Sequence, residues 1–126
     1  MPTQNIFPAL RYSDCDRALS WLKDAFGFEE KAVYRTQDGA IHHAELRLGD
    51  GLIMLGHDNG MGAEADRRHS IDVSVPDPDE HYARAKAAGA EITRELTDQP
   101  YGSREYGACD LEGNAWSFGT YNPHDA

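Results

Sequence analysis

Three pairs of residues are separated by one interval: Asp14 and Asp77, Leu48 and Leu111, and Gly56 and Gly119 all lie 63 apart. In a chain of 126 residues that interval is half the length. Self-similarity at a fixed period implies repeated copies of one supersecondary unit. The order of elements recurs with the interval. Ile6–Tyr12 reads as a strand, Asp14 caps a helix whose apolar stripe runs through Leu19, Leu22 and Phe26 to Gly27, and strands follow at 30–35, 41–48 and 52–55. Gly49-Asp50-Gly51 joins the last two as a hairpin. The second copy has a strand at 71–75, a helix from about Asp79 to Ala88 stopped by Gly89, and strands at 90–96, 103–110 and 115–118. Gly27 and Gly89 differ by 62, which places one residue of drift inside the helix region. The organisation expected is one domain over 1–126. It has a first βαβββ module at about 5–56, a linker at about 57–69 carrying the solvated charges His57-Asp58 and Arg67-Arg68-His69, and a second module at about 70–120.

Charge narrows the function classes. Lys plus Arg is 12 against 22 Asp plus Glu, a formal charge of −10. A phosphate-backbone binder needs a basic face, so no nucleic-acid partner is expected. The acidic balance suits solubility first and a cationic ligand second. Met1 to Asn5 has neither the basic nor the apolar part of a signal peptide, and no apolar run approaches the roughly 18 residues of a membrane span. A cytoplasmic protein without membrane contact is expected. Cys15 and Cys109, far apart and without a CxxC, read as free thiols.

Strand periodicity assigns faces. Ile71, Val73 and Val75 alternate with Ser70, Asp72 and Ser74, while Ala44 and Leu46 alternate with Ile41, His43, Glu45 and Arg47. The apolar sets should cover the helices. Carrying the interval of 63 across, Phe7 matches Ser70, Met54 matches Ser117, His43 matches Tyr106 and Ile41 matches Arg104. The second face is then expected to hold Phe7, Ala9, Arg11, His43, Glu45, Met54, Ser70, Asp72, Arg104, Tyr106 and Ser117. Apolar walls with a few polar groups are what a ligand cleft is made of.

Several of these runs resemble one family. They are Pro8-x-Leu10-x-Tyr12-x-Asp14, Ala18, Trp21-Leu22, Phe26-Gly27-Phe28, Leu48-Gly49-Asp50 and the closing Asp110-Leu111-Glu112-Gly113-Asn114-x-Trp116-x-Phe118. Together, over about Ile6 to Thr120, they are similar to the vicinal oxygen chelate superfamily of glyoxalases, bleomycin-resistance proteins and extradiol dioxygenases. The resemblance implies an α+β fold in which two βαβββ modules form a curved mixed eight-stranded sheet around a cleft, and it implies a homodimer. It also implies that the enzymes' metal ligands would fall at Phe7, Ser70 and Ser117, with Met54 as the position related by the repeat. Phe and Met offer a hard divalent cation nothing and neutral Ser is a poor ligand, so no metal and no cofactor are expected.

Other residues have plainer readings. His43 and Glu45 are an acid–base pair or a mutually hydrogen-bonded one. Arg104, near Tyr101 and Tyr106, clamps a planar or anionic group or else pairs with Glu45 or Asp110. Trp21 and Trp116 belong to the core, neither Cys has a base beside it, and the glycines are turn glycines rather than a phosphate loop. The function expected is that of a metal-free small-molecule-binding protein, similar to bleomycin-resistance proteins. It would sequester an aromatic or cationic antibiotic-like compound in a dimeric cleft. Phe7, Met54 and Tyr106 would stack, Asp72 and Glu45 would meet positive charge, Arg104 would fix a polar group, and His43, Ser70 and Ser117 would complete the lining. The alternative is a lyase, isomerase or dioxygenase-type enzyme of the same superfamily, with a non-standard metal or acid–base site at His43 and Glu45.

Overall fold

The computed structural model describes Gln4, residues 7–57 and residues 70–123. Ile6, Asp58 and Arg67-Arg68-His69, for which a strand start and linker charges were expected, lie outside the described residues. The chain divides into two compact units, 1–65 and 66–126. Each holds one helix and one four-stranded sheet.

The first unit runs β1 (Ala9–Tyr12), α1 (Cys15–Phe26), β2 (Glu29–Arg35), β3 (Ile41–Leu48) and β4 (Gly51–His57). Its sheet order is β1-β4-β3-β2, with β1 parallel to β4 and the other pairs antiparallel. The helix starts where the sequence said it would. The Asp14 carboxylate accepts the Arg17 N–H at 3.0 Å, a cap worth about 1 kcal/mol. It ends at Gly27, whose φ of 82° is one that side chains resist. Ala18, Leu19, Leu22, Ala25 and Phe26 are buried along one stripe, and α1 lies on β1, β2 and β4. The sheet answers with Leu10, Tyr12, Ala44, Leu46, Ile53 and Leu55, all buried. Full burial of a side chain such as Leu22 or Phe26 stabilises by about 2 kcal/mol. Trp21 is only half-buried and meets Phe26 edge-on at 5.0 Å.

The second unit runs β5 (Ser70–Ser74), α2 (Pro78–Ala87), β6 (Glu91–Asp98), β7 (Arg104–Cys109) and β8 (Ala115–Gly119), in the order β5-β8-β7-β6. Asp77 caps α2 by accepting the Glu80 N–H at 3.1 Å, and Pro78 fits the first turn, where no N–H is needed. The core behind this sheet is aromatic. Trp116 and Phe118 stack at 5.9 Å, Tyr106 and Phe118 at 5.3 Å, and His81 of α2 closes on Phe118 at 4.2 Å.

The repeat is not uniform, and the difference corrects two expected facings. Glu45 pairs with Met54 in the first unit and Gly107 with Ser117 in the second. The fourth strands are therefore offset by 63, but the third strands by 62. The residue lost in the helix region is regained only in the second hairpin, which carries one more residue between the equivalent ladder pairs Arg47–Leu52 and Cys109–Ala115. A one-residue slip turns every side chain of a strand to the other face. Tyr106 and Arg104, expected on the open face of β7, accordingly lie on its helix side. Tyr106 is fully buried, with its hydroxyl 2.5 Å from His81 Nδ1. Burial pushes that hydroxyl's pKa up, so the group stays neutral. Arg104 pairs with Asp79 of α2 at 2.6 Å and Asp98 at 3.2 Å, rather than with Glu45 or Asp110. Ile41 also departs from its expected face. It is buried, and the β2–β3 register shifts between Tyr34 and Arg35, where Ile41 pairs. No helix among the described residues is long and apolar enough to cross a membrane.

Candidate functional site

The open face of the second sheet holds a cleft of about 980 Å3, the scale of a drug-sized ligand. Its floor consists of small residues. Ser70 and Asp72 come from β5, Gly107 from β7, and Ser117 and Gly119 from β8. Both glycines are closely approached by their neighbours. A Cβ on Gly107 would sit 2.8 Å from Thr93 Oγ1 and 3.0 Å from Arg94 Nε. One on Gly119 would sit 2.5 Å from Glu105 Cγ. Because those atoms are absent, Arg94 of β6 can lie across β7 and donate from its guanidinium to Ser117 Oγ at 2.6 Å. A second guanidinium nitrogen is 3.9 Å from Glu105. The Glu105 carboxylate also accepts the Tyr101 hydroxyl at 2.7 Å, and that hydrogen bond holds the Tyr101 pKa above its ordinary value. Tyr121 stands beside Tyr101 on the rim.

Of the residues the sequence singled out, Ser70, Asp72 and Ser117 are brought together here. Arg104 and Tyr106 are not among the lining residues. The lining that sequence reading missed includes Arg94, Glu105, Gly107, Gly119 and Tyr121. The signal was available in the interval of 62 between Gly27 and Gly89, which puts Glu105 opposite His43 and Gly107 opposite Glu45 when carried forward along the third strands.

The open face of the first sheet carries a second group. Met54 and Glu45 are paired across β4 and β3, and His43 Nε2 lies 3.1 Å from Glu45 Oε2. Lys31 meets the other carboxylate oxygen of Glu45 at 3.4 Å, and Tyr34 stacks on His43 at 5.9 Å. Phe7, just ahead of β1, is 40% exposed. His43 and Glu45 therefore form the hydrogen-bonded pair, with Lys31 as a third member.

That pair has a pH consequence. The His43 hydrogen bond, with Lys31 behind it, holds the Glu45 carboxyl below its usual range. A carboxyl lowered by folding contributes stability above its unfolded pKa and loses it as pH falls through the folded value. Urea unfolding at pH 7 and at about pH 3 is expected to show a smaller acid-induced drop in midpoint for Glu45→Gln than for the wild type. The difference should be small, because the group is solvated. Equal drops would mean that the pair is not maintained in solution.

At the four positions where the resemblance implies a metal in the family's enzymes, the residues of this chain do not suit one. Phe7 has no donor atom, Met54 offers a thioether, and Ser70 and Ser117 offer neutral hydroxyls. Ser117 Oγ is moreover engaged by a guanidinium, a fixed positive charge that would repel a divalent cation. Among the described residues no three His, Cys, Asp or Glu side chains converge.

Two βαβββ units in one chain, each with a helix on one sheet face and the other face open, define a paired-module α+β protein. The chain matches the Glyoxalase/Bleomycin resistance protein/Dioxygenase superfamily over residues 7–118, and it belongs to that family. Among solved structures it is similar to TioX from Micromonospora sp. ML1, with 35% identity, a TM-score of 0.80, and coverage of 94% of this chain and 99% of that one. The fosfomycin resistance protein FosX from Mesorhizobium loti shares the fold at 16% identity and a TM-score of 0.70, over 99% of this chain and 98% of its own. An uncharacterized protein of Mycobacterium tuberculosis is 31% identical over 121 residues, 89% of this chain and 71% of the relative.

Proposed function

We propose that the protein binds a small organic molecule in the second-unit cleft and sequesters it without a metal and without chemical change. The observation that carries this reading is Arg94 reaching over Gly107 to Ser117. At a position where a metal-dependent relative needs an anionic or imidazole donor, this chain keeps a hydroxyl already bound to a cation. The small-residue floor suits a flat ligand lying against the sheet. The ligand class that fits floor, rim and overall charge of −10 is a planar aromatic compound, neutral or cationic. The protein would work as a cytoplasmic homodimer, a state that light scattering after gel filtration reads directly.

Calorimetric titration with a panel of cations that carry planar aromatic groups, acridines and the bithiazole-bearing bleomycin among them, tests the reading. Saturable binding is expected, with the compound recovered unchanged by mass spectrometry. Ser117→Leu, which raises the floor by an isobutyl group, is expected to weaken binding at least roughly tenfold, equivalent to about 1.4 kcal/mol. Conversion of the compound, or no saturable binding across the panel, would remove the sequestration reading.

A further inference from the structure

The rim of the second-unit cleft has a chemistry that its floor lacks. Tyr101 and Tyr121 stand there with ring centroids 6.1 Å apart and planes at 84°, and both line the cleft. They are 62% and 49% exposed, unusual for side chains that bury readily. The ring of Tyr101 is held in place by its hydroxyl, which donates to Glu105 at 2.7 Å. Asp72 lines the same cleft, and among the described residues its carboxylate has no hydrogen bond or ion pair. Its charge reaches the Tyr101 hydroxyl. Among the described residues Arg94 is the only cation in the lining, set against the two carboxylates Asp72 and Glu105, which makes that lining net negative. Its guanidinium is already occupied with Ser117 and Glu105.

Aromatic rings beside an uncompensated carboxylate attract a particular kind of cation. A primary ammonium or a guanidinium wants several hydrogen-bond acceptors, whereas a methylated ammonium has an apolar shell and a diffuse charge. Such a cation gains from ring quadrupoles and a nearby carboxylate without needing donors satisfied. We propose that the corner formed by Tyr101 and Tyr121, with Glu105 and Asp72 beneath it, receives a methylated ammonium group. This rests on the reading of the second-unit cleft as a ligand site, and it names the charged group that such a ligand carries.

The test compares choline with its neutral isostere 3,3-dimethylbutan-1-ol, titrated into the full chain and followed by NMR of the tyrosine ring signals. Choline is expected to shift the Tyr101 and Tyr121 signals saturably, and the alcohol to bind at least about fivefold more weakly. Tyr101→Leu, Tyr121→Leu and Asp72→Asn should each weaken choline by about two- to fivefold while leaving the backbone spectrum folded. Equal binding of the two isosteres, shifts confined to other residues, or no saturable choline shift overturns the proposal. The sequestration reading fails separately. Ser117→Leu should block planar aromatics yet spare choline at the rim. Choline binding without any aromatic binding would keep the corner and remove the floor as a ligand surface. Aromatic binding that does not distinguish charged from neutral compounds would do the reverse.

Discussion

Asp110→Ala is expected to lower the stability of the protein by about 3 kcal/mol, because a buried carboxylate that serves several donors leaves each of them unsatisfied when it is removed. Asp110 is 5% exposed. One of its oxygens accepts the backbone N–H groups of Glu112 and Asn114, both at 3.0 Å. The other accepts Trp116 Nε1 at 3.1 Å and the Asn114 side-chain amide at 3.1 Å. The Asp-x-x-Gly-Asn run is thus a hydrogen-bonded knot, and it fixes β8 by its tryptophan. Ser117 and Gly119 on the floor of the cleft depend on that anchoring. Urea unfolding followed by tryptophan fluorescence reads the loss, since Trp116 sits inside the knot. A drop under about 1 kcal/mol, the worth of a single ordinary hydrogen bond, would show that the hairpin is held by packing instead.

Gly119→Val is expected to cost about 2 kcal/mol, the range of overpacking in a well-filled region. The added Cβ would fall 2.5 Å from Glu105 Cγ and 3.1 Å from the Arg104 carbonyl oxygen. The side chain can move but the backbone oxygen cannot do so without disturbing the ladder between β7 and β8. The displaced Glu105 would also release Tyr101. Chemical denaturation together with the choline titration separates the two effects. A variant of unchanged stability that still binds choline as the wild type does would mean that Glu105 relaxes freely and that the rim does not depend on the floor.

The sequence made the architecture legible because its signals are local and repeated. Asp14 and Asp77 announce the helix starts, and both carboxylates accept the N–H three residues on. The strand alternation puts Asp72 and Ser117 on one face, and the ladder between β5 and β8 then sets them side by side. The candidate site was half legible. An interval carried across a repeat is reliable only while no residue is gained or lost, and Tyr106 fell on the wrong side of one such change. Tyr106 also looks like a cleft residue by type, since an aromatic with a polar tip suits both a pocket and a core; its hydroxyl found His81 instead. Arg94 could not be foreseen from its own strand. Its role depends on a missing side chain at Gly107, which a pattern of apolar residues does not register.

The extra residue in the hairpin before β8 offsets in number the residue lost in the helix region. The residue missing from the helix region changes the numbering of β7 and not its place in the ladder, since Gly107 faces Ser117 as Glu45 faces Met54. The first unit closes the equivalent ladder pair with one residue fewer, so the extra residue belongs to the turn that Asp110 ties together and not to the strand register. The two units thus share one strand lattice on different connections, and what separates a charged open face from a hollow one is the exchange of Glu45 and Met54 for Gly107 and Ser117 at the same lattice points.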